Sequence, residues 1–141
     1  MQKTQIAPSI LSADFGRLAS EIAALETAGA DILHLDIMDG HYVPNLSFGF
    51  PVIKAIRRMT SLPLDIHLMV TNPDFHIPIL LDMNVQWVSF HQETCYHSHR
   101  FIQKLKDKGI KAGLALNPGT PLGTLEALLP DLDYILVMSV N

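Results

Sequence analysis

The chain alternates short β-rich runs with amphipathic helical stretches, and this alternation restricts the fold more than any other feature. Six segments predict strands: residues 5–11, 32–36, 64–69, 87–90, 111–116 and 134–138. Five intervening segments carry apolar residues at three- and four-residue spacing and predict helices: residues 14–28, 50–58, 74–83, 98–108 and 122–129. Asp14 is a suitable cap for the first helix, and Gly29 and Gly109 follow the last turns of two helices. The repeat predicts an α/β fold with a parallel sheet.

The strand count leaves two arrangements open. Six strands suit an open, doubly wound sheet, whereas a closed (β/α)8 barrel needs eight strands and about 250 residues. A barrel therefore requires that this 141-residue chain be incomplete at its C-terminus. Apolar residues make up 48% of the chain, and no linker, low-complexity tract or charge block divides it, so residues 1–141 predict a single domain.

Charge and hydropathy exclude two classes of partner. The net charge is -4 with both signs interspersed, which offers no basic stripe for a nucleic acid. No apolar run approaches the roughly 18 to 20 residues that span a bilayer, and the first residues lack the apolar core of a signal peptide. The single cysteine, Cys95, excludes an intrachain disulfide and fits a reducing compartment. We expect a cytoplasmic protein without membrane or nucleic-acid partners.

Polar side chains at the ends of two predicted strands indicate a metal site. Strand alternation places His34 and Asp36 on one face, and it places Asp65, His67 and Met69 on one face of the next strand. The carboxyl ends of parallel strands form the ligand face of α/β proteins. His34, Asp36 and His67 can therefore meet around one divalent ion with positions left open for substrate.

A purely structural interpretation exists for each of these residues taken alone. A histidine at a strand end can be a hydrogen-bonded rim residue, and Asp36 or Asp39 can cap the following loop. The constellation favours a metal, because charged groups on an inward barrel face are costly unless paired or coordinated. We assign Asp39 and Asp65 to loop hydrogen bonds or to support of a ligand from below.

Further polar and thioether groups follow the strands. Met38, Met69 and Met138 can either surround a planar intermediate or simply fill the core. Ser9 ends the first predicted strand and can hydrogen-bond a substrate oxygen. Polar groups also end the fourth and fifth strands, at His91, Glu93 and Asn117. We assign no chemistry to five other residues: His41, Tyr42, His76, His97 and His99.

Several long motifs resemble one family across the whole chain. Residues 7–14 are APSILSAD, residues 34–45 are HLDIMDGHYVPN and residues 67–70 are HLMV. Residues 113–121 are GLALNPGTP and residues 136–141 are LVMSVN. These motifs resemble the ribulose-phosphate 3-epimerase family. The resemblance implies a ribulose-phosphate-binding (β/α)8 barrel, here truncated after its sixth strand.

The activity that the resemblance implies belongs to the pentose phosphate pathway. It is an isomerase reaction that interconverts D-ribulose 5-phosphate and D-xylulose 5-phosphate by metal-assisted proton transfer at C3, through a cis-enediolate. The resemblance implies that His34, Asp36 and His67 bind one divalent metal ion, zinc or iron in first place and manganese or cobalt otherwise. Asp36 would also be a catalytic base. The residues implied to contact the substrate are Ser9, His67, Met38, Met69 and Met138.

The family's chain continues past Asn141 into a glycine-rich loop, a seventh strand with a second metal-binding aspartate and an eighth strand leading to the phosphate site. We therefore expect this chain to be weak or inactive alone and to associate into homo-oligomers through open strand edges. Two alternatives stay open. One is an epimerase for a six-carbon ketose phosphate such as allulose 6-phosphate, and the other is a non-catalytic half-barrel that assembles with itself or another chain.

Overall fold

A computed structural model describes residues 4–140, in which five parallel strands form one sheet in the order β1-β2-β3-β4-β5. The strands are β1 (Leu33–Met38), β2 (Leu64–Met69), β3 (Trp87–His91), β4 (Lys111–Leu116) and β5 (Tyr134–Val137). The α-helices of this part of the chain are α1 (Leu18–Thr27), α2 (Phe50–Met59), α3 (Pro73–Leu80) and α4 (Ser98–Asp107). The predicted α/β fold with a parallel sheet is confirmed. Across residues 4–140, no helix is long and apolar enough to cross a membrane.

The prediction of a regular strand at residues 5–11 is wrong. This segment lies beside β1 and forms only an isolated parallel bridge between Ser9 and His34. The amide of His34 donates to the carbonyl of Pro8 at 3.0 Å. Proline has no N–H to return to the ladder, and the Ser9 hydroxyl accepts from the amide of Leu11 to begin a 3₁₀ turn at Ile10–Ser12. The segment therefore occupies a strand's position without a continuous ladder.

The prediction of an α-helix at residues 122–129 is also wrong. The structure has two 3₁₀ turns there, Leu122–Leu125 and Leu129–Asp131. Gly123 weakens a helix at its start, and Pro130 cannot donate the backbone bond that would continue one. The apolar spacing in this segment therefore does not produce an α-helix.

The start of the first helix also differs from the prediction. The Asp14 carboxylate accepts from the amide of Gly16, but it caps a 3₁₀ turn at Phe15–Arg17, and α1 follows this turn. Gly29 and Gly109 have φ values of +87° and +71° after α1 and α4, where a side chain would be strained. The prediction that Asp14 caps the first α-helix is therefore wrong, because α1 begins after Arg17 without a side-chain cap, whereas the two predicted glycine ends are confirmed.

The hydrophobic core lies between the sheet and the helices. Sequential parallel strands joined by right-handed crossovers place their helices on one face of the sheet. On β1 the side chains of Leu33, Leu35 and Ile37 belong to this core, together with Ile53 and Ile56 of α2. Because side chains alternate along a strand, His34 and Asp36 point to the opposite face. The fold thus separates an apolar helix-covered face from a polar inner face.

On the inner face, Tyr134 of β5 lies across Gly113 of β4. The two residues are register partners, and the Tyr134 hydroxyl donates to a carboxylate oxygen of Asp65 at 3.0 Å. A β carbon built on Gly113 would lie 2.5 Å from Cζ of Tyr134. Only glycine allows the ring to reach β2 in this way.

We expect Gly113→Ala to lower the free energy of unfolding by about 1–3 kcal/mol, because the added methyl group displaces the Tyr134 ring from its contact with Asp65. Urea unfolding followed by circular dichroism measures the change. Gly119→Ala is the matched control, since a β carbon there meets nothing within 4 Å. Equal stability of the two variants would contradict this account of Gly113.

Candidate metal centre

The register of two neighbouring strands brings the side chains of the site together. In the parallel pair of β1 and β2, His34 lies beside Asp65 and Asp36 lies beside His67. Alternation along each strand then points all four side chains to the inner face of the sheet. Two histidines and two carboxylates are thereby brought together by backbone geometry alone.

His34, Asp36 and His67 converge as predicted. One carboxylate oxygen of Asp36 lies 3.2 Å from Nε2 of His34 and 3.1 Å from Nδ1 of His67. One potential ligand atom from each of the three residues lies within 4.8 Å of the others. Two imidazole nitrogens and a carboxylate oxygen are a donor set that suits zinc, iron and other first-row divalent ions. The residues present therefore fit a divalent metal ion.

Asp65 supports the site from below, as we expected from its position on the strand. Its carboxylate lies 2.7 Å from Nδ1 of His34 and accepts the Tyr134 hydroxyl on its other oxygen. Burial disfavours a charge on the His34 ring, but hydrogen bonds to Asp36 and Asp65 outweigh burial and raise the pKa of His34 to about 9. With Nδ1 held by Asp65, the Nε2 atom of His34 faces Asp36.

Asp36 is held in its ionised form. Burial would raise its pKa, but hydrogen bonds from His34, His67 and Ser9 hold the pKa of this carboxyl well below its usual range. The Ser9 hydroxyl donates to the second oxygen of Asp36 at 2.5 Å. Ser9 is therefore placed at the site, where it contacts the carboxylate.

The three predicted methionines line one cavity with the polar cluster. The cavity has a volume of about 550 Å³ and is bounded on its polar side by His34, Asp36 and His67. Apolar side chains form the rest of its wall, among them Met38, Met69, Met138, Val43 and Leu136. Among residues 4–140, Asp36 is the only carboxylate that lines this cavity. The cavity thus presents one anionic group against largely apolar surroundings.

Asp39 takes the loop role that we expected. One of its oxygens accepts the amides of His41 and Tyr42, and the other accepts the amide and hydroxyl of Thr71. These hydrogen bonds hold the pKa of Asp39 below its usual range despite the opposing effect of burial. Asp39 therefore ties the loop after β1 to the loop after β2.

A second cluster was only partly anticipated by the sequence. His91, at the end of β3, lies with its Nε2 atom 3.0 Å from Nε2 of His67. The sequence predicts no chemistry for Tyr42, but its hydroxyl lies 2.7 Å from Nδ1 of His91. Burial and the nearby His67 lower the pKa of His91 to about 4. No spacing rule links Tyr42 to His91, because they are 49 residues apart in the chain.

The family model and the curated relatives indicate one family. The model of the family described as "Ribulose-phosphate 3 epimerase family" matches residues 5–141. The ribulose-phosphate 3-epimerase of Bacillus subtilis is 49% identical over 137 residues, which cover 97% of this chain and 63% of that protein. The Aquifex aeolicus enzyme of the same name is 48% identical, with 96% of this chain and 61% of that protein covered. The chain therefore spans less than two thirds of the length of these relatives.

Solved structures share the fold at low sequence identity. A tryptophan synthase complex from Pyrococcus furiosus superposes with a TM-score of 0.69 at 17% identity, covering 96% of this chain and 67% of that chain. Tryptophan synthase from Mycobacterium tuberculosis gives a TM-score of 0.61 at 11% identity, covering 94% and 65% of the two chains. At these identities the likeness concerns the fold alone.

Proposed function

We propose that this chain, which belongs to the ribulose-phosphate 3-epimerase family, forms the metal-binding part of an enzyme that interconverts D-ribulose 5-phosphate and D-xylulose 5-phosphate. The reaction is an epimerisation at C3 through a cis-enediolate. The observation that carries this proposal is the convergence of His34, Asp36 and His67 at the wall of one cavity. An ionised carboxylate between two imidazoles combines a cation site with a base.

We assign the cation site to one divalent ion held by His34, Asp36 and His67, with zinc or iron as first choices and manganese or cobalt as others. A bound ion would polarise the C2 ketone and stabilise the negative charge that develops on its oxygen. Asp65 keeps His34 oriented for this role, since it holds the far nitrogen of the ring.

Asp36 takes the proton from C3 in this proposal. The electrons of the C3–H bond move into a C2–C3 double bond, and the ketone π electrons move onto the C2 oxygen. Return of the proton from Asp36 restores the substrate, and the epimer forms when an acid on the opposite face of C3, which no other carboxylate lining the cavity within residues 4–140 supplies, donates a proton instead. Because the pKa of Asp36 is low, its carboxylate is a weak base, so abstraction needs a C3 proton made more acidic by polarisation of the ketone.

The remaining assignments concern the substrate. Ser9 and His67 would contact its oxygens, and the thioethers of Met38, Met69 and Met138 would pack against the planar intermediate. The apolar side chains that line the rest of the cavity would contact the carbon skeleton of the substrate. The ligand implied by the family is a small sugar phosphate.

We also propose that residues 1–141 belong to one domain built on a (β/α)8 barrel. The bridge of Ser9 to His34 puts residues 5–11 in the position of a first strand, so that this segment and β1–β5 make six successive positions. We propose a cytoplasmic, homo-oligomeric protein. The outer side of β5, an edge of the sheet in this part of the chain, leaves Val137 69% exposed and available for association.

Hydrogen exchange at C3 tests the proposed function. The metal-depleted chain is reloaded with zinc, iron(II), manganese or cobalt and incubated with D-ribulose 5-phosphate in D₂O, and NMR follows the C3 hydrogen. We expect metal-dependent exchange that outpaces formation of D-xylulose 5-phosphate, because Asp36 is the only carboxylate lining the cavity within residues 4–140. Allulose 6-phosphate serves as the comparison substrate. Absence of both metal retention and exchange would refute the proposal.

A further inference from the structure

His91 is a fully buried imidazole whose two nitrogens both contact polar groups. It is 0% exposed, and its ring centroid lies 5.1 Å from that of His67. Its Nε2 atom lies 3.0 Å from Nε2 of His67. Its Nδ1 atom lies 2.7 Å from the Tyr42 hydroxyl and 3.1 Å from a carboxylate oxygen of Glu93. A buried polar group with such contacts on both sides has a defined hydrogen-bonding direction.

The carboxylate of Glu93 decides that direction. Burial would raise the pKa of Glu93, but hydrogen bonds from Thr120 and from the backbone amide of Asn117 lower it, so this group is a carboxylate at neutral pH. The Asn117 amide donates to it at 2.8 Å, and the Thr120 hydroxyl donates to the same oxygen. A lone pair on Nδ1 of His91 would face the other oxygen unfavourably. The proton of His91 therefore belongs on Nδ1.

This proton position determines the state of the neighbouring ring. A neutral imidazole carries one N–H, so Nε2 of His91 is an acceptor and Nε2 of His67 must donate to it. The Nδ1 atom of His67 then faces Asp36, 3.1 Å away, on the side of the candidate cation site. A nitrogen that binds a metal ion must present a lone pair, so a bound ion would take the place of the proton that Nδ1 of His67 donates to Asp36 in the metal-free chain, while Nε2 stays engaged with His91.

We infer that His91, anchored by Glu93 and Tyr42, is a positioning residue that directs Nδ1 of His67 toward the metal site. The inference rests on the proposed function for the identity of the site. Each of the two candidate histidine ligands is then oriented by a second residue, since Asp65 contacts His34 and His91 contacts His67. His91 also couples the site to the ends of β3 and β4 through the contacts of Glu93.

The test compares metal affinity in three variants of the chain. His91→Leu removes the acceptor, and we expect the affinity for cobalt(II) and zinc to fall by about 10- to 100-fold, as for other groups that orient metal ligands. His91→Gln offers a carboxamide oxygen to Nε2 of His67, so we expect it to recover most of the loss. His99→Gln is the control, because its side chain is 62% exposed on α4. Competition with a chromophoric chelator measures the affinities, and thermal unfolding verifies that each variant folds.

A second measurement needs no bound metal. Long-range ¹H–¹⁵N NMR of the metal-free chain should find a proton on Nε2 of His67, and on Nδ1 but not Nε2 of His91. A proton on Nε2 of His91, or unchanged metal affinity in both His91 variants, would overturn the inference. If the unmodified chain binds no metal, the proposed function fails while the NMR result still decides the hydrogen-bond direction. If His91→Leu does not fold, Glu93→Gln replaces it and should shift the proton populations of both rings.

Discussion

Asp36→Asn is expected to lower the rate of metal-dependent hydrogen exchange at C3 of D-ribulose 5-phosphate by about 1,000-fold or more. Loss of a general base alone typically costs about 10²- to 10⁴-fold. The substitution keeps the shape of the side chain, but an amide cannot take up the proton and contributes no charge to the cation site. It also disturbs the contacts with His34 and His67 at 3.2 and 3.1 Å.

Asp39→Asn is the matched control for this prediction. Its carboxylate is three residues farther along the chain and bonds to Thr71 and to loop amides, so it takes no part in the cavity wall. We expect this variant to retain metal affinity and exchange. Cobalt(II) affinity measured on both variants separates the loss of a ligand from the loss of a base. Exchange at the unmodified rate in Asp36→Asn would exclude Asp36 as the base.

A divalent metal ion is expected to raise the unfolding temperature of the chain by roughly 10 °C. Binding to the folded state alone stabilises a protein by about 4 kcal/mol when the free ligand is at 1,000 times its dissociation constant. For a chain of 141 residues, each kcal/mol of stabilisation raises the unfolding temperature by about 2–4 °C, so that about 4 kcal/mol corresponds to roughly 10 °C. Calorimetry with zinc or cobalt(II) measures it, and a chelator should reverse it.

Paired histidine substitutions locate the origin of this stabilisation. We expect the His34→Ala/His67→Ala chain to show no metal-induced shift, because two of the three converging donors are gone. The His97→Ala/His99→Ala chain removes the same number of imidazoles from the exposed surface near α4 and should keep the shift. An equal shift in both double variants would place the stabilising ion elsewhere.

Local pattern predicted the inner face of the sheet well. The alternation in β1 and β2 placed His34, Asp36, Asp65 and His67 on one side, and the structure puts them there. The same rules predicted the wrong element where proline or glycine residues disfavour the backbone conformation that the apolar spacing predicts. Pro8 interrupts the ladder beside β1, and Gly123 and Pro130 prevent the helix that the leucine spacing predicted.

Contacts between distant segments do not follow from local sequence pattern. The reach of Tyr134 over Gly113 to Asp65 depends on the register of β4 and β5 and on the missing side chain of a glycine. The contact of Tyr42 with His91 depends on how the loop after β1 folds over the sheet. Neither distance follows from the spacing of residues along the chain.

The amino-acid sequence by itself determined the parallel α/β fold, the three converging donors and the family. A strand's side-chain period of two assigns each residue to a face, and the carboxyl ends of parallel strands share one edge, so His34, Asp36 and His67 follow from local rules. Only the tertiary structure decided which nitrogen each histidine presents. That choice depends on Asp65, which contacts His34, and on His91, which contacts His67 and is itself held by Glu93. Hydrogen-bond direction is set by atoms within about 3 Å rather than by sequence period.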